Sequence, residues 1–207
     1  MTVLYFFPEE LRTPWYMWEQ RWNEIQEIRL RVNCPVSIRT ISGERFLLNK
    51  EGERVSYSDR EMELIFRHLC HDSIYAYEEE RKQGYMTLTG GHRVGITGEV
   101  IRVEQGYIVK YIRYMNIRIA HEVVGIGESI REYMYDGGMP CNSLIISPPA
   151  AGKTTLLRDM VRMYADGNGQ YRGINVGVID ERGEIAGACR GSASLHCGIR
   201  TDIITGG

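Results

Sequence analysis

An α/β chain is predicted: an N-terminal α+β domain, then a second domain in which an apolar strand runs through a tight loop into a helix. Three observations predict it. Residues 142–159 read NSLIISPPAAGKTTLLRD, with an apolar run, a Pro/Ala/Gly loop and helix-period residues in succession. Arginine-rich segments around residues 28–32 and 85–120 alternate apolar and polar side chains, the period of half-buried strands. Ser58-Asp-Arg-Glu61 opens a helix between them as a capping box.

In chain order, Thr13-Pro14 is a helix start, with Thr13 at the cap and Pro14 in the first turn. Trp15, Trp18, Trp22 and Ile25 then form one helical stripe, a packing face. Ile28, Leu30 and Val32 alternate with Arg29 and Arg31 as a strand, and Val36-Ser37-Ile38 is its partner after the Cys34-Pro35 turn. Met62, Ile65, Phe66 and Leu69 line the helix that follows Ser58. A short helix is expected over residues 75–83, stopped by Gly84, and a hairpin turn at Glu104-Gln105-Gly106. Glu128 to Tyr135 reads as a helix ended by Gly137-Gly138. Residues 1–125 are therefore expected to form the first domain, 126–140 a linker, and 141–207 the second domain.

Leu144-Ile145-Ile146 is the strand that leads into the loop, and Leu156, Leu157, Met160, Val161 and Tyr164 mark the helix that leaves it. Gly152-Lys153-Thr154-Thr155 sits at their junction. This is the strand–loop–helix setting of a phosphate-binding P-loop. Ser147, Pro148, Pro149, Ala150, Ala151 and Gly152 form the loop; the N–H groups of its non-proline residues and the helix N-terminus frame an anion site, and Thr155 follows in the first turn. Lys153 reaches the β/γ-phosphates of a nucleotide, and the Thr154 hydroxyl holds Mg²⁺. Ser147 and Ala150 stand where glycines are common; Gly152, before the lysine, is the position that most needs a positive φ.

Ile174 to Ile179 is the next strand and ends in Asp180-Glu181-Arg182-Gly183-Glu184. Carboxylates at the C-terminal end of a parallel strand face the ligand crevice of open α/β sheets. Asp180, Glu181 and Glu184 can there position Mg²⁺ or polarise an attacking water. VIDE at 178–181 has two readings, a Walker B strand or a separate acidic box. We favour the second, with the chain expected to stop inside its nucleotide-binding domain.

Composition narrows the classes. Net charge is −2, so no global basic field advertises nucleic acid. Basic residues are mostly arginine, and lysine is rare. Five scattered cysteines without a C-x-x-C fit a reducing compartment. His68 and His71 share a helix face but lack a second ligand cluster. The N-terminus lacks a basic signal-peptide start, and no apolar run reaches the length of a membrane span.

Six segments together resemble the stage III sporulation protein AA family of spore-forming Firmicutes: EIRLRVNCPV (27–36), YAYEEERKQGYMTLTGGHRVGITGEV (75–100), NIRIAHEV (116–123), NSLIISPPAAGKTTLLRDMVR (142–162), VGVIDERGEIAG (176–187) and GIRTDIITGG (198–207). That family is similar to the hexameric motor ATPases of type II and type IV secretion. The resemblance implies a RecA-like second domain and ATP with Mg²⁺ as ligands. It also implies a cytoplasmic, peripheral homo-oligomeric ring at the mother-cell membrane, working with membrane proteins of a channel to the forespore. Lys153 and Thr154 match its Walker A pair, and Asp180, Glu181 and Glu184 its acidic box. Arg93 and Arg118 lie in strands like those whose arginines contact nucleotide phosphates. The family's Walker B segment is expected just beyond GIRTDIITGG, which leaves turnover by residues 1–207 open. Two other readings stay open. One is a nucleic-acid-binding ATPase using Arg29, Arg31, Arg39, Arg93, Arg102, Arg113 and Arg118 with Tyr85, Tyr107, Tyr111 and Tyr114; the acidic balance makes nucleic acid the less favoured partner. The other is a scaffold that binds nucleotide only to assemble.

Overall fold

The computed structural model describes residues 2–70, 82–103, 106–148, 151–167, 171–181, 183–187 and 195–205. The chain divides into two compact units, one of residues 1–88 and 92–120, the other of 89–91 and 121–207. The expected helix over 75–83 and the turn at Glu104-Gln105 fall largely outside the described residues, as do Pro149 and Ala150.

The first unit is built on a six-stranded antiparallel sheet. Its strands are β1 (Ile25–Arg31), β2 (Cys34–Thr40), β3 (Gly43–Phe46), β4 (Tyr85–Leu88), β5 (His92–Val103) and β6 (Gly106–Arg118). Their order is β3-β2-β1-β6-β5-β4. The register places Ile28 opposite Ile38 on one side and Ile117 on the other. Alternation then sorts the sheet into two faces. Ile28, Leu30, Val94, Ile96, Met115 and Ile117 face a buried core. Arg29, Arg31, Arg93 and Arg118 belong to the opposite face.

A helix covers the apolar face. We label the helices α1 (Tyr16–Glu19), α2 (Asp59–Leu69) and α3 (Lys153–Asp166). In α2 the Ser58 hydroxyl accepts from the Glu61 N–H while the Glu61 carboxylate accepts from the Ser58 N–H, the expected capping box. Met62, Ile65, Phe66 and Leu69 are buried against the sheet. Each such burial contributes about 1.5–3 kcal/mol, so this helix is held by its apolar face more than by its cap. The N-terminal segment completes the core: Phe7 stacks on Trp15 at 4.2 Å between centroids, and the Trp15 indole N–H donates to the Tyr57 hydroxyl at 2.8 Å.

The tryptophan stripe is inward as expected, but it is not one helix. A 3₁₀ turn at Thr13–Trp15, the single turn of α1 and another 3₁₀ turn at Trp22–Glu24 carry it, and Ile25 already begins β1. Thr13 lies inside the first turn, and Arg12 takes the cap position. His68 places its ring nitrogen 3.0 Å from the Tyr5 carbonyl oxygen.

In the second unit, α3 lies between two small apolar clusters. On one side are β9 (Val176–Asp180) and β10 (Thr201–Thr205), which pair in parallel, with Val161 packed against Val178 and Cys197. On the other, Met160 and Met163 pack on Met134, Ile130 and Ile145. The segment expected to be a helix from Glu128 is a 3₁₀ helix, Ile126–Met134. Gly137 and Gly138 do not end it. Both have positive φ, 54° and 85°, and form the two-residue turn joining β7 (Tyr135–Asp136) to β8 (Met139–Pro140). Leu144-Ile145-Ile146 also departs from expectation: it is not paired in a ladder among the described residues. Ile145 packs inward, while Leu144 and Ile146 are 83% and 82% exposed. Among the described residues, no helix is long and apolar enough to cross a membrane.

Candidate functional site

Lys153 is the first residue of α3, immediately after Gly152. Gly152 has φ 86° and ψ 12°, the left-handed conformation. A Cβ there would meet nothing within 4 Å, so the backbone angle and not space calls for glycine. The helix runs 14 residues and has no acidic side chain in its first turn. Its N-terminus therefore keeps its partial positive charge and its unpaired N–H groups for an anion. The Lys153 ammonium folds back across the loop and donates to the Ser147 carbonyl oxygen at 3.4 Å. Lysine and the two ends of the loop are thus drawn together. Ser147 turns its own hydroxyl to the Pro148 carbonyl. Ala151 is exposed at the end of the loop.

A cavity of 460 Å³ opens beside this loop, lined by Lys153, Thr154, Asp180, Glu181 and Glu184 among others. Residues distant in sequence are therefore gathered at one cavity. They do not play equal parts. The Asp180 side chain is buried and accepts three backbone N–H bonds, from Glu184 to Oδ1 and from Ile185 and Ala186 to Oδ2, each at 2.9 Å. Its carboxylate folds the acidic loop back on the end of β9. Glu181 is exposed and Glu184 half-buried at the cavity wall.

Sequence reasoning missed Arg158. From the buried side of α3 its guanidinium donates to the Ile185 carbonyl at 2.5 Å and the Glu184 carbonyl at 2.7 Å. Burial lowers its pKa, against raising influences from Cys197, Glu122 and Asp180; it remains charged. Burial likewise pushes the neighbouring Cys197 thiol up. Arg158 thus fastens the acidic loop to the helix that carries Lys153. A signal was present, since Arg158 shares a face with Val161 and Ala165 at helical spacing.

Asp159, the next residue, binds the other way. Its carboxylate accepts the Gly127 N–H at 2.7 Å and pairs with Arg162 at 2.7 Å. Burial works to raise its pKa, but the Gly127 and Gly125 N–H groups and Arg162 outweigh it, and the carboxyl sits below its ordinary value.

Arg93 and Arg118 belong to the N-terminal sheet, where they stand directly opposite each other on β5 and β6.

The fold is similar to that of a solved ATPase structure. The solved pilus retraction motor PilT with bound ADP aligns with 95% of this chain and 52% of its own, at a TM-score of 0.54 and 12% identity. The ATPase DotB of Legionella pneumophila aligns with 97% of this chain and 53% of its own, at a TM-score of 0.47 and 14% identity. Sequence identifies the family more closely. Residues 8–206 match the family described as sporulation stage III, protein AA, and the chain belongs to it. Over 188 residues it is 41% identical to the stage III sporulation protein AA of Bacillus subtilis (strain 168). That match takes in 90% of this chain and 59% of the relative's length, so the chain spans less than two thirds of its curated relative.

Proposed function

We propose that this chain carries the nucleotide-binding part of a motor-type ATPase subunit that acts in sporulation, with ATP and Mg²⁺ as its ligands. One observation carries the reading. A lysine at the start of a 14-residue helix, directly after a left-handed glycine, shares a cavity with three carboxylates from the end of a parallel strand. The donor set suits a triphosphate: N–H groups at a helix N-terminus, one ammonium, and hydroxyls at Thr154 and Thr155.

In this reading the N–H groups of Gly152, Lys153 and Thr154 hold phosphate oxygens. Lys153 leaves the Ser147 carbonyl to reach the β/γ-phosphates. The Thr154 hydroxyl would hold Mg²⁺, which would supply charge neutralisation. Asp180 has spent both its oxygens on the backbone, so water orientation falls to Glu181 or Glu184. Arg158 holds Glu184 in place through its carbonyl. Arg93 and Arg118 are proposed as phosphate contacts, by family resemblance. So are the homo-oligomeric ring, its membrane partners, and its place at the mother-cell side of the forespore membrane.

The test is titration of a fluorescent ATP analogue with Mg²⁺ into the chain and its Lys153→Ala variant. A lysine–phosphate contact near a protein surface is worth roughly 4 kcal/mol before relaxation. The variant should therefore bind up to about a thousandfold more weakly. Equal affinity of the two proteins would end the P-loop assignment.

A further inference from the structure

The nucleotide reading uses α3 at its first residues and leaves out what holds the helix on its buried side. After Ala120 the chain enters the second unit. Residues 121–124 belong to no helix or strand, and Val123 and Val124 are exposed. The turn that follows is held by Asp159. Its Oδ2 accepts the Gly127 N–H at 2.7 Å, and the Gly125 N–H bonds the same carboxylate. Its Oδ1 takes the Arg162 Nε at 2.8 Å and Nη2 at 2.7 Å. Asp159 is buried, so water scarcely competes for these bonds.

Two glycines make the seat. Gly125 has φ 90° and ψ 0°, the left-handed conformation. Its N–H and that of Gly127 can then converge on one anion, as in a backbone nest. Gly127 lies against the helix itself: a Cβ there would come within 2.6 Å of Met163 Sδ and 3.2 Å of Asp159 Oδ2. Around this contact Met160 and Met163 pack on Met134 and Ile130 of the 3₁₀ helix that Gly125 caps. Asp159 stands six residues beyond Lys153 on one unbroken helix, about 9 Å along its axis at 1.5 Å per residue. With the turn lifted, α3 would lose the packing of both methionines and keep a buried carboxylate without its N–H donors. The end that presents Lys153 would then be poorly held, and a phosphate there has more to bind when the turn is seated.

We propose that Asp159 is a positioning residue that couples nucleotide at Lys153 to the seating of the 125–127 turn. The segment that enters the second unit and the phosphate site therefore tighten or loosen together. The coupling rests on the nucleotide reading and runs both ways, since linkage between two binding events is reciprocal.

The experiment measures amide hydrogen exchange by NMR on the 207-residue chain, with and without saturating AMP-PNP and Mg²⁺. The Gly125 and Gly127 amides should exchange at least tenfold more slowly with nucleotide. The Cys141 amide of the same unit, which donates to the Met134 carbonyl and not to α3, should slow less than threefold. Asp159→Asn should abolish that difference and bind AMP-PNP at least fivefold more weakly. Gly127→Ala, which keeps the carboxylate and its arginine, should do the same and serves if Asp159→Asn does not fold. A purely structural Asp159 would lower the melting temperature of its variant but leave the affinity and the nucleotide effect on these amides as in the parent, which overturns the proposal. So does nucleotide binding that leaves the Gly125 and Gly127 amides unchanged, or that slows Cys141 equally, since that is stabilisation of the whole unit by mass action. A parent chain that takes no nucleotide would instead end the P-loop reading, and the coupling with it.

Discussion

Replacing Asp180 with asparagine should loosen the acidic loop, and the cost can be worked from three bonds. The carboxylate takes the Ile185 and Ala186 N–H groups on one oxygen and the Glu184 N–H on the other. Asparagine has the same shape but one acceptor. Its best placement keeps the oxygen on Ile185 and Ala186 and turns its NH₂ against the Glu184 N–H. A hydrogen bond to a charged group contributes about 1.5–3 kcal/mol, and a neutral one about 0.5–1.5. Losing the first and weakening the other two costs about 3–5 kcal/mol, a large share of a domain's total stability. Amide hydrogen exchange is the direct assay. The Glu184, Ile185 and Ala186 amides should exchange at least a hundredfold faster in Asp180→Asn, since each 1.36 kcal/mol is about a factor of ten. Core amides of the N-terminal sheet should be unaffected. The reasoning is refuted if those three amides stay as protected as in the parent while Mg²⁺-dependent nucleotide affinity collapses. That result would make Asp180 a metal-site residue and not the staple of its loop.

Two further outcomes are expected. Arg158→Lys keeps the charge but cannot fork to the Ile185 and Glu184 carbonyls together; it should cost about 1–2 kcal/mol in urea unfolding. It should also weaken nucleotide binding with Mg²⁺ more than without it, and equal losses would separate Arg158 from the acidic loop's function. Asp159 should contribute an acid limb to stability. Its folded carboxyl lies below its ordinary value of 3.8, so its contribution is present above that value and is lost as pH falls through the lowered folded one. Urea midpoints measured from pH 6 downwards should fall less steeply in Asp159→Asn, and parallel curves would show that the carboxylate is not the group responsible.

The patterns that were legible in the sequence are those whose cause is local. The capping box at Ser58 and Glu61 involves atoms three residues apart, and the structure has it. Alternation through Ile28, Leu30 and Ile38 fixed which face of the sheet is buried, because a strand has only two faces. Gly152 before Lys153 was legible because one backbone angle demands it. The departures have non-local causes. Leu144-Ile145-Ile146 has strand composition, but a strand needs a ladder partner, and none lies beside it among the described residues. Gly137-Gly138 fits a helix stop and a hairpin turn equally well; the pairing of Tyr135 with Pro140 decides for the turn. The tryptophan spacing fits a helix, yet aromatic stacking around Phe7 and Trp15 holds those side chains inward through a chain of short turns.

Arg158 and Asp159 show why the most consequential residues of the site were hardest to read. Adjacent opposite charges in a helix are ordinarily its solvated face. Here α3 buries residues 158–161 together with Met163 and Ala165, because it is covered by β9 and β10 on one side and by residues 126–135 on the other. A helix buried on both sides has no wet face for its charges. Each must then satisfy itself on backbone, and the two choose opposite kinds: Arg158 takes carbonyls of the acidic loop, Asp159 takes N–H groups of the segment that begins the second unit's 3₁₀ helix. Both sit within two turns of Lys153. The helix that presents the lysine is thus tied at one level to the carboxylates that line its cavity and to the 125–127 turn. Any movement of the lysine end must carry both with it or break a charge-assisted bond worth about 1.5–3 kcal/mol.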